Sequence, residues 1–174
     1  GESADDYHCF RLPVLSPGEA TVVAVEASVQ DNAVGDQELE QNWGNYVVLQ
    51  HAPGLYSLVA HLAQNSVKVA VGQYVARGDV IALCGSSGRS PRPHLHFQLQ
   101  GSPVLGAPTL PCRFHDVVTV SPEGERLDRT LEPREGQSLR PLAIDDDLAA
   151  NTLVFTPGRS YRYEMGSGSE TIES

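Results

Sequence analysis

The segment His94-Leu95-His96-Phe97-Gln98-Leu99-Gln100 has the strict alternation of polar and apolar residues that is typical of a β-strand. Its three apolar side chains fall on one face, where we expect them to pack on a core, and its polar side chains fall on the other. The polar face then presents His94 and His96 about 7 Å apart, two strand rises of roughly 3.3 Å each. At that spacing one imidazole can bind a metal while the other moves a proton, although a strand with two solvent-facing histidines has the same pattern.

Short β-forming runs, separated by turns, surround this segment. Asn45–His51 and Leu55–His61 flank the turn Ala52-Pro53-Gly54 and predict a β-hairpin. Further runs rich in β-branched residues lie at Thr21–Val25 and Val80–Leu83. No amphipathic pattern is long enough for a helix of ten or more residues. The sequence therefore predicts a mostly β fold, a barrel or sandwich of short strands.

The composition changes after Val120, which divides the chain. Residues 121–136 are charged and rich in turn-forming residues, and residues 151–155 and 160–165 look like two strands joined by a Pro-Gly turn. The last five residues, 170–174, have the pattern of the start of another strand. We therefore predict an acidic N-terminal segment at residues 1–12, the incomplete start of a domain; a main β-domain at residues 13–120; and a turn-rich linker with part of a second β-module at residues 121–174.

The charge of the chain limits its partners. The 174 residues carry a net charge of −10, from 22 acidic and 12 basic side chains. We expect no nucleic-acid partner, since nucleic acids are bound by basic surfaces. No stretch of 18 or more apolar residues is present, so we predict no membrane span. The acidic opening Gly1–Asp6 is not a signal peptide, and a targeting segment can have been removed or can lie outside this sequence.

Three cysteines, Cys9, Cys84 and Cys112, leave at least one thiol unpaired. None of them has the Cys-x-x-Cys spacing that is typical of a structural zinc site. If a disulfide forms, we expect it between Cys84 and Cys112. Without one, we expect Cys84 to be a buried structural thiol and not a nucleophile.

A third histidine, His61, ends the predicted hairpin on the same alternating face as Ser57 and Val59. Imidazole is a good ligand for Zn²⁺, and a catalytic zinc site needs three protein ligands and an open position for water. Zinc lowers the pKa of that water toward 7, and an unligated imidazole can take its proton or stabilise an oxyanion. The three histidines can therefore divide into one ligand and two catalytic helpers, but the residues alone do not assign these roles.

Several segments together resemble the lysostaphin/LytM-type zinc endopeptidases, over roughly residues 13–115. They are Asn42–His51, Gly54–Ser57, Ala60–Leu62, Val71–Val75, Gly85–Gly88 and Pro93–Phe97. Biotinyl and lipoyl domains share the turn pattern within Val67–Leu83, so the specific part is His61 with His94-x-His96 behind the Gly-Ser-Ser-Gly loop. Residues 6–10 and 88–93 are most similar to the subset of the family that is fused behind bacterial urea transporters.

This resemblance implies both a fold and a function. The fold would be an antiparallel β-sheet with a long groove, of the duplicated hybrid-motif or barrel-sandwich type. The function would be hydrolysis of peptide cross-links in bacterial peptidoglycan by an extracytoplasmic zinc metallopeptidase. By motif position, His96 would bind zinc, and His94 and His61 would be the general base and the transition-state stabiliser. The partners would be peptidoglycan peptides, and also a membrane protein if the domain is fused to one or lies near one.

The sequence departs from this family at the first pair of zinc ligands. The family uses a His-x-x-x-Asp motif before the first long strand, and neither Asp6 nor His8 belongs to such a motif. Either the sequence begins after the pair or the protein has lost it; Asp6 or His8 as a replacement ligand is a further alternative. The chain is then either a zinc endopeptidase or an inactive domain that binds peptidoglycan or regulates another cell-wall hydrolase. A biotinyl-type carrier is disfavoured because Lys68, the single lysine, lies in a predicted strand and not at a hairpin tip.

The remaining candidates have simpler interpretations. His51 is expected to cap the hairpin turn, and His115 is expected to be structural or exposed. The polar segment 31–43 is expected to be a surface loop, which either rims the groove or is simply solvated. Trp43 and Tyr46 either line the groove or belong to the core, and both places suit an aromatic side chain.

Overall fold

The computed structural model describes residues 1–142, 160–165 and 168–173, and it is built almost entirely from antiparallel strands. A single 3-10 turn at Ala4–Asp6 precedes them. The strands are β1 (Pro13–Leu15), β2 (Ala20–Glu26), β3 (Asn45–Ala52), β4 (Leu55–Leu62), β5 (Tyr74–Val75), β6 (Val80–Leu83), β7 (His96–Gln100), β8 (Thr109–Leu110), β9 (Phe114–Ser121), β10 (Gly124–Leu131), β11 (Ser138–Pro141), β12 (Ser160–Met165) and β13 (Gly168–Glu173). The prediction of a mostly β, antiparallel fold is confirmed.

The chain divides into two compact units, Gly1–Cys112 and Arg113–Ser174. In the first unit, six strands form an antiparallel sheet in the order β5-β2-β3-β4-β7-β8, and β1 pairs with β6 in a separate two-stranded ribbon. The predicted hairpin is confirmed as β3 and β4, joined by a turn in which Gly54 has φ +76°. Strand β7 begins at His96, so His94 and Leu95 lie just before it.

The main core lies on one face of the six-stranded sheet, together with residues of the β1–β6 ribbon. Val47, Leu49 and Val59 from the sheet pack there with Val14 and Ile81 from the ribbon, and all are buried. Fully burying such a side chain contributes roughly 1.5–3 kcal/mol. Phe97 packs against the same cluster, as predicted for the apolar face of this strand. The same prediction is wrong for Leu95, which precedes β7 and is 43% exposed.

The opposite face of the sheet has a smaller cluster and is only partly covered. Val48, Leu58 and Ala60 are buried in it, and the partly buried side chains around them include Trp43 and Tyr46. His96 belongs to this face, because it lies directly opposite Ala60 across the β4–β7 pairing. The face therefore combines aromatic walls with a histidine, as expected for a groove.

A β-bulge interrupts β4 at His61. Asn45 pairs with Leu62 while the next residue, Tyr46, pairs with Ala60, so His61 has no partner on β3. Its φ is +60°, in the left-handed region. Val59 and Leu62 both pack in the main core, so the extra residue has broken the period of two between them. The prediction that His61 shares the face of Val59 is therefore wrong: the bulge turns His61 to the groove face.

The second unit contains two small sheets. One has the order β10-β9-β11, and the other is the β12–β13 hairpin. The predicted boundary after residue 120 falls inside this unit, because β9 and β10 form a hairpin across residues 114–131, which includes the turn-rich residues 121–131. The strand predicted from residue 170 onward corresponds to β13, and the predicted strand at residues 151–155 lies outside the described residues. None of the helices described in this chain has the length and hydropathy of a membrane-spanning helix.

The conditional expectation of a disulfide between Cys84 and Cys112 is not met. All three are free thiols, so the proposed disulfide between Cys84 and Cys112 is not formed. Cys84 is buried in the main core, as expected for a structural thiol, and the Cys9 side chain packs against the same core. The contact partner of Cys84 therefore comes from the N-terminal segment, which the sequence had marked only as acidic.

Candidate active site

Three imidazoles meet on the groove face of the sheet. The ring centroid of His61 lies 4.7 Å from that of His94 and 5.9 Å from that of His96. They come from three different structural contexts, a bulge in β4, the loop before β7 and the first residue of β7. The structure thus brings together the three histidines that the sequence singled out.

His61 is the buried member of the cluster. It is 6% exposed, and its Nδ1–H donates a hydrogen bond of 2.8 Å to the Ser87 carbonyl. Because a carbonyl can only accept, Nδ1 carries the proton and Nε2 has a free lone pair. The pKa of His61 is lowered from 6.5 to about 4, chiefly by burial; the Ser87 bond opposes this shift, and the charges of His94 and His96 contribute to it. His61 is therefore neutral at pH 7.

His94 is the exposed member. Its Nδ1–H donates to the Arg92 carbonyl at 2.9 Å, and the Ser90 hydroxyl lies 3.0 Å from the same nitrogen. The Ser90 hydroxyl itself donates to the Arg92 carbonyl at 2.8 Å, so the same loop carbonyl positions both Ser90 and the His94 ring. As in His61, the neutral ring is left with a free Nε2.

His96 has the opposite tautomer, which a chain of amide side chains determines. The Nε2 amide group of Gln100, a fully buried residue, donates to the carbonyls of Ser102 and Val104 at 2.6 and 2.9 Å. Its Oε1 must then accept, and it does so from Gln98 at 2.7 Å. The Oε1 of Gln98 accepts in turn from His96 Nε2 at 2.8 Å. Since Nε2 of His96 is the donor, its Nδ1 is the free nitrogen.

The chemical result is a cluster of three imidazoles in which one nitrogen of each ring has a hydrogen-bond partner and the other is free. Two of these nitrogens are Nε2 atoms and the third is Nδ1 of His96. Free imidazole nitrogens accept protons and bind transition metals. The role of Gln98 and Gln100 was missed by sequence analysis, which took both only as polar positions of a strand.

Asp31 and Asn32 stabilise the loop at residues 85–93, which contains the hydrogen-bond partners of His61 and His94. Asp31 accepts from the Ser86 amide at 2.7 Å, and Asn32 donates to the carbonyls of Gly88 and Ser90 at 2.7 and 3.0 Å. The prediction of a mere surface loop at 31–43 is therefore incomplete, because its first two residues position the loop beside His61. A polar residue in a turn-rich segment gives no signal of such a distant partner.

Two glycines allow this loop to lie against residues 42–44. Gly44 has φ +57° and Gly88 has φ +73°, and a Cβ on either would collide with the backbone of the other loop. Beside them, the Ser87 hydroxyl donates to the Leu62 carbonyl at 2.6 Å and accepts from the Asn45 amide at 2.9 Å. The Gly-Ser-Ser-Gly segment thus fixes the backbone beside His61.

Trp43 forms a wall of the site. Its ring contacts His96 edge to face, with centroids 5.1 Å apart. Trp43, Tyr46 and Leu105 line a cavity of about 290 Å³. A second cavity, of about 450 Å³, is lined by His94 and two arginines, Arg89 and Arg92. The surroundings of the cluster are therefore aromatic on the Trp43 side, where Glu26 and Glu40 also line the cavity, and cationic on the His94 side.

The described residues do not provide a complete zinc site. They contain no group of three or more His, Cys, Asp or Glu side chains arranged to hold a metal ion. The free Nδ1 of His96 is one suitable donor, but zinc needs three. The alternative that Asp6 or His8 replaces a lost ligand is therefore wrong for this structure; Asp6 instead accepts from the amides of Glu2 and Ser3 in a capping box.

Two further histidines, His51 and His115, have other contacts. His51 contacts the Glu19 carbonyl at 2.9 Å and the Ser57 hydroxyl at 2.8 Å, so it ties the β3–β4 hairpin to the residue that precedes β2. His115 is exposed in the second unit, where it lies 3.3 Å from the Thr130 hydroxyl. The predicted capping of the hairpin turn by His51 is not seen, since its two ring nitrogens contact Glu19 and Ser57 instead. His115 is exposed, which is one of the two places expected for it.

Comparison with known proteins gives consistent matches for the first unit. A family model described as peptidase family M23 matches residues 10–105. The peptidoglycan DD-endopeptidase ShyA of Vibrio cholerae is 46% identical over 63 residues, which are 35% of this chain and 14% of that protein. The murein hydrolase activator EnvC of Escherichia coli is 36% identical over 112 residues, 63% of this chain and 26% of that protein. The crystallised catalytic domain of lysostaphin from Staphylococcus simulans is 29% identical, with 53% of this chain and 62% of that domain covered and a TM-score of 0.40.

Proposed function

Because this chain belongs to peptidase family M23, we propose that its groove binds the peptide cross-links of bacterial peptidoglycan and that His61, His94 and His96 act on the bound amide. The observation that carries the proposal is the cluster of three imidazoles, in which the rings of His94 and His96 lie 4.7 and 5.9 Å from that of His61, beside the aromatic wall of Trp43. The relative ShyA, a peptidoglycan DD-endopeptidase, supports this substrate class. The chain spans only 14% of ShyA, so the substrates of whole relatives enter only as support.

The charges beside His94 support an anionic peptide as the substrate. Arg89 and Arg92 line the cavity next to His94, although the chain as a whole carries a net charge of −10. Neither arginine belongs to an ion pair within the described residues. A guanidinium binds a carboxylate through two parallel hydrogen bonds, and peptidoglycan peptides carry carboxylates.

The roles that we propose for the two Nε2 nitrogens follow from burial. His94 is exposed, so it can take a proton at Nε2 from an attacking water and pass it to solvent or to the leaving amine. Nε2 of His61 carries no proton in the neutral ring, so it would have to take one from the attacking water before it could donate a hydrogen bond to an oxyanion. Because His61 is buried, water would not weaken that bond. The Ser87 and Arg92 carbonyls keep both Nδ1 atoms as donors and thereby hold both rings in place.

Zinc enters this proposal through His96 alone. When zinc is bound in this family it polarises the scissile carbonyl and activates water, and His96 would contribute Nδ1 as one ligand. The described residues do not supply the other two ligands. We therefore propose hydrolysis only where two further ligands join His96, and we expect the chain by itself to bind peptide without retaining zinc.

A second candidate function is a catalytically inactive, wall-binding or regulatory domain. Two observations favour it: the described residues lack a metal-binding group of three, and EnvC, which matches 63% of this chain, is named a murein hydrolase activator. In that case the groove and its histidines would bind peptide without cutting it. Either function places the domain outside the cytoplasm, and the resemblance at residues 6–10 and 88–93 supports a fusion to a membrane transporter.

Metal content and peptide binding test these proposals together. We would incubate the purified chain and a His96→Ala variant with zinc, remove free metal and measure bound zinc by mass spectrometry. We expect far less than one zinc per chain in both. One zinc per chain that is lost in His96→Ala would show that this chain completes the site, and would make hydrolysis by the chain alone the better proposal.

The groove is tested by calorimetry with a cross-linked muropeptide. We expect binding that weakens about tenfold or more in Trp43→Ala and Arg92→Gln, while Arg77→Gln, an arginine that lines neither cavity, serves as the matched control. Failure of the unmodified chain to bind the muropeptide would contradict both candidate functions. Cleavage of the muropeptide by this chain alone, with no zinc ligands supplied by another molecule, would contradict the candidate function of an inactive domain.

A further inference from the structure

Two thiols, Cys9 and Cys84, meet at the end of β6. Cys84 is 3% exposed in the main core, and the half-buried Cys9 packs against the same cluster. Cys9 thus packs against the cluster that contains Cys84, and its thiol is one of the causes that raise the pKa of the Cys84 thiol. The contact between the two cysteines does not position the three histidines, so it needs a separate explanation.

The backbone holds the two residues together independently of the sulfur atoms. The Arg11 amide donates to the Cys84 carbonyl at 2.8 Å, and the Cys84 amide donates to the Leu12 carbonyl at 2.9 Å. The Leu12 amide closes the turn by donating to the Cys9 carbonyl at 3.1 Å. This pairing fixes Cys9 beside Cys84 on a short turn, where Arg11 has φ +60°. A covalent bond between the two sulfur atoms would therefore not require a new fold.

We propose that Cys9 and Cys84 form a disulfide that fastens the N-terminal segment to the end of β6. The two thiols would lose two electrons and two protons to a disulfide oxidant, either oxidised glutathione or a protein disulfide, which becomes two thiols. Cys9 is the more accessible sulfur, so it attacks the oxidant first, and Cys84 then attacks the mixed disulfide and releases the second thiol. Burial, with the Cys9 thiol as a smaller contribution, raises the pKa of Cys84 to about 12, so this second step is slow at neutral pH.

The bond would have two structural consequences. It would close a loop of roughly 75 residues that contains most of the sheet, which restricts the unfolded chain. It would also remove the thiol that now donates to the Pro93 carbonyl at 3.3 Å, one residue before His94. Such a bond persists in an oxidising compartment, in agreement with an extracytoplasmic location, but the inference does not depend on the proposed function.

The test uses the full chain in a glutathione redox buffer. Under oxidising conditions we expect a mass loss of about 2 Da, a single alkylated thiol, Cys112, after alkylation of the unfolded chain, and one linked peptide pair joining Cys9 to Cys84. We expect the melting temperature to rise by roughly 10 °C on oxidation. Cys112→Ser is the matched control and should keep the rise, whereas Cys9→Ser should lose it.

Several results would overturn the proposal. One is a linked peptide that contains Cys112; another is three alkylated thiols after full equilibration with oxidised glutathione. The mass and peptide measurements are made on the unmodified chain, so they decide the question even if Cys9→Ser folds poorly. A disulfide that forms but leaves the melting temperature unchanged would contradict the proposed stabilising role of the bond.

Discussion

The first unit and the second unit are stabilised in different ways. Gly1–Cys112 buries a continuous apolar core, whereas Val118 is the single buried apolar side chain among residues 113–142. By contrast, all three ion pairs found in the described residues, including Arg140–Glu125, belong to the second unit. The unit that carries the histidines thus depends on burial and on fully satisfied polar groups, and the other depends on exposed contacts. Rigid positioning of a site requires the first kind of structure, because exposed ion pairs contribute little.

The largest effect that we expect comes from removing core volume. Leu49 is fully buried, so Leu49→Ala should lower the free energy of unfolding by about 2–5 kcal/mol. Leu127 of the second unit is 42% exposed, and Leu127→Ala should lower it by about 0.5 kcal/mol or less. Urea titrations followed by circular dichroism, with Trp43 fluorescence as a reporter of the first unit, would measure both. Equal losses would mean that the contrast between the units is absent.

A somewhat smaller effect should come from the buried His61. Its folded pKa is about 4 and its unfolded pKa about 6.5, so between these values the unfolded chain binds more protons. Stability therefore rises with pH through this window, and acidification from pH 6.5 to pH 4 should cost roughly 3 kcal/mol through this residue. We would compare urea titrations of the unmodified chain and His61→Gln at both pH values. The variant should lack this part of the pH dependence; an identical dependence would show that His61 is not held neutral.

The smallest effect should come from an exposed ion pair. Arg140 contacts Glu125 across the β9 sheet at the surface. Arg140→Gln should leave the urea midpoint unchanged within error at both low and high salt, because water and ions already screen the pair. A clear loss of stability that disappears in high salt would show that the second unit depends on this pair more than its exposure implies.

Sequence analysis recovered what regular alternation encodes. The β3–β4 hairpin and the strand from His96 to Gln100 follow from a period of two and a Pro-Gly turn. The same rule failed at His61, because one extra residue reverses every later face and a bulge has no strong sequence signal. It also failed for Gln100, which alternation placed on an ordinary polar face although its side chain is fully buried and directs the tautomer of His96.

Other features could not be predicted because they depend on distant partners. The contact between Cys9 and Cys84 joins the N-terminal turn to the end of β6, and no local pattern distinguishes it from a contact with Cys112. Strand β10 was not predicted, because its charged composition is as typical of an exposed strand as of a linker. The three histidines were identified because their spacing resembled a known family, and their free nitrogens became clear only from the hydrogen bonds.

The two loops beside the histidines are joined through main-chain atoms. Gly35 donates to the Pro91 carbonyl, Glu38 to the Gly88 carbonyl, and Arg89 to the Asn42 carbonyl, at 2.8, 3.0 and 2.9 Å. Such bonds do not depend on which side chains the residues carry, except at the two close-packed glycines. The main-chain bonds that hold the two loops are therefore independent of the side chains that line the site. Those side chains can change from one relative to another while the imidazoles keep their geometry. A protein engineer who wished to retarget this groove would begin with Gln37, Arg89 and Pro91.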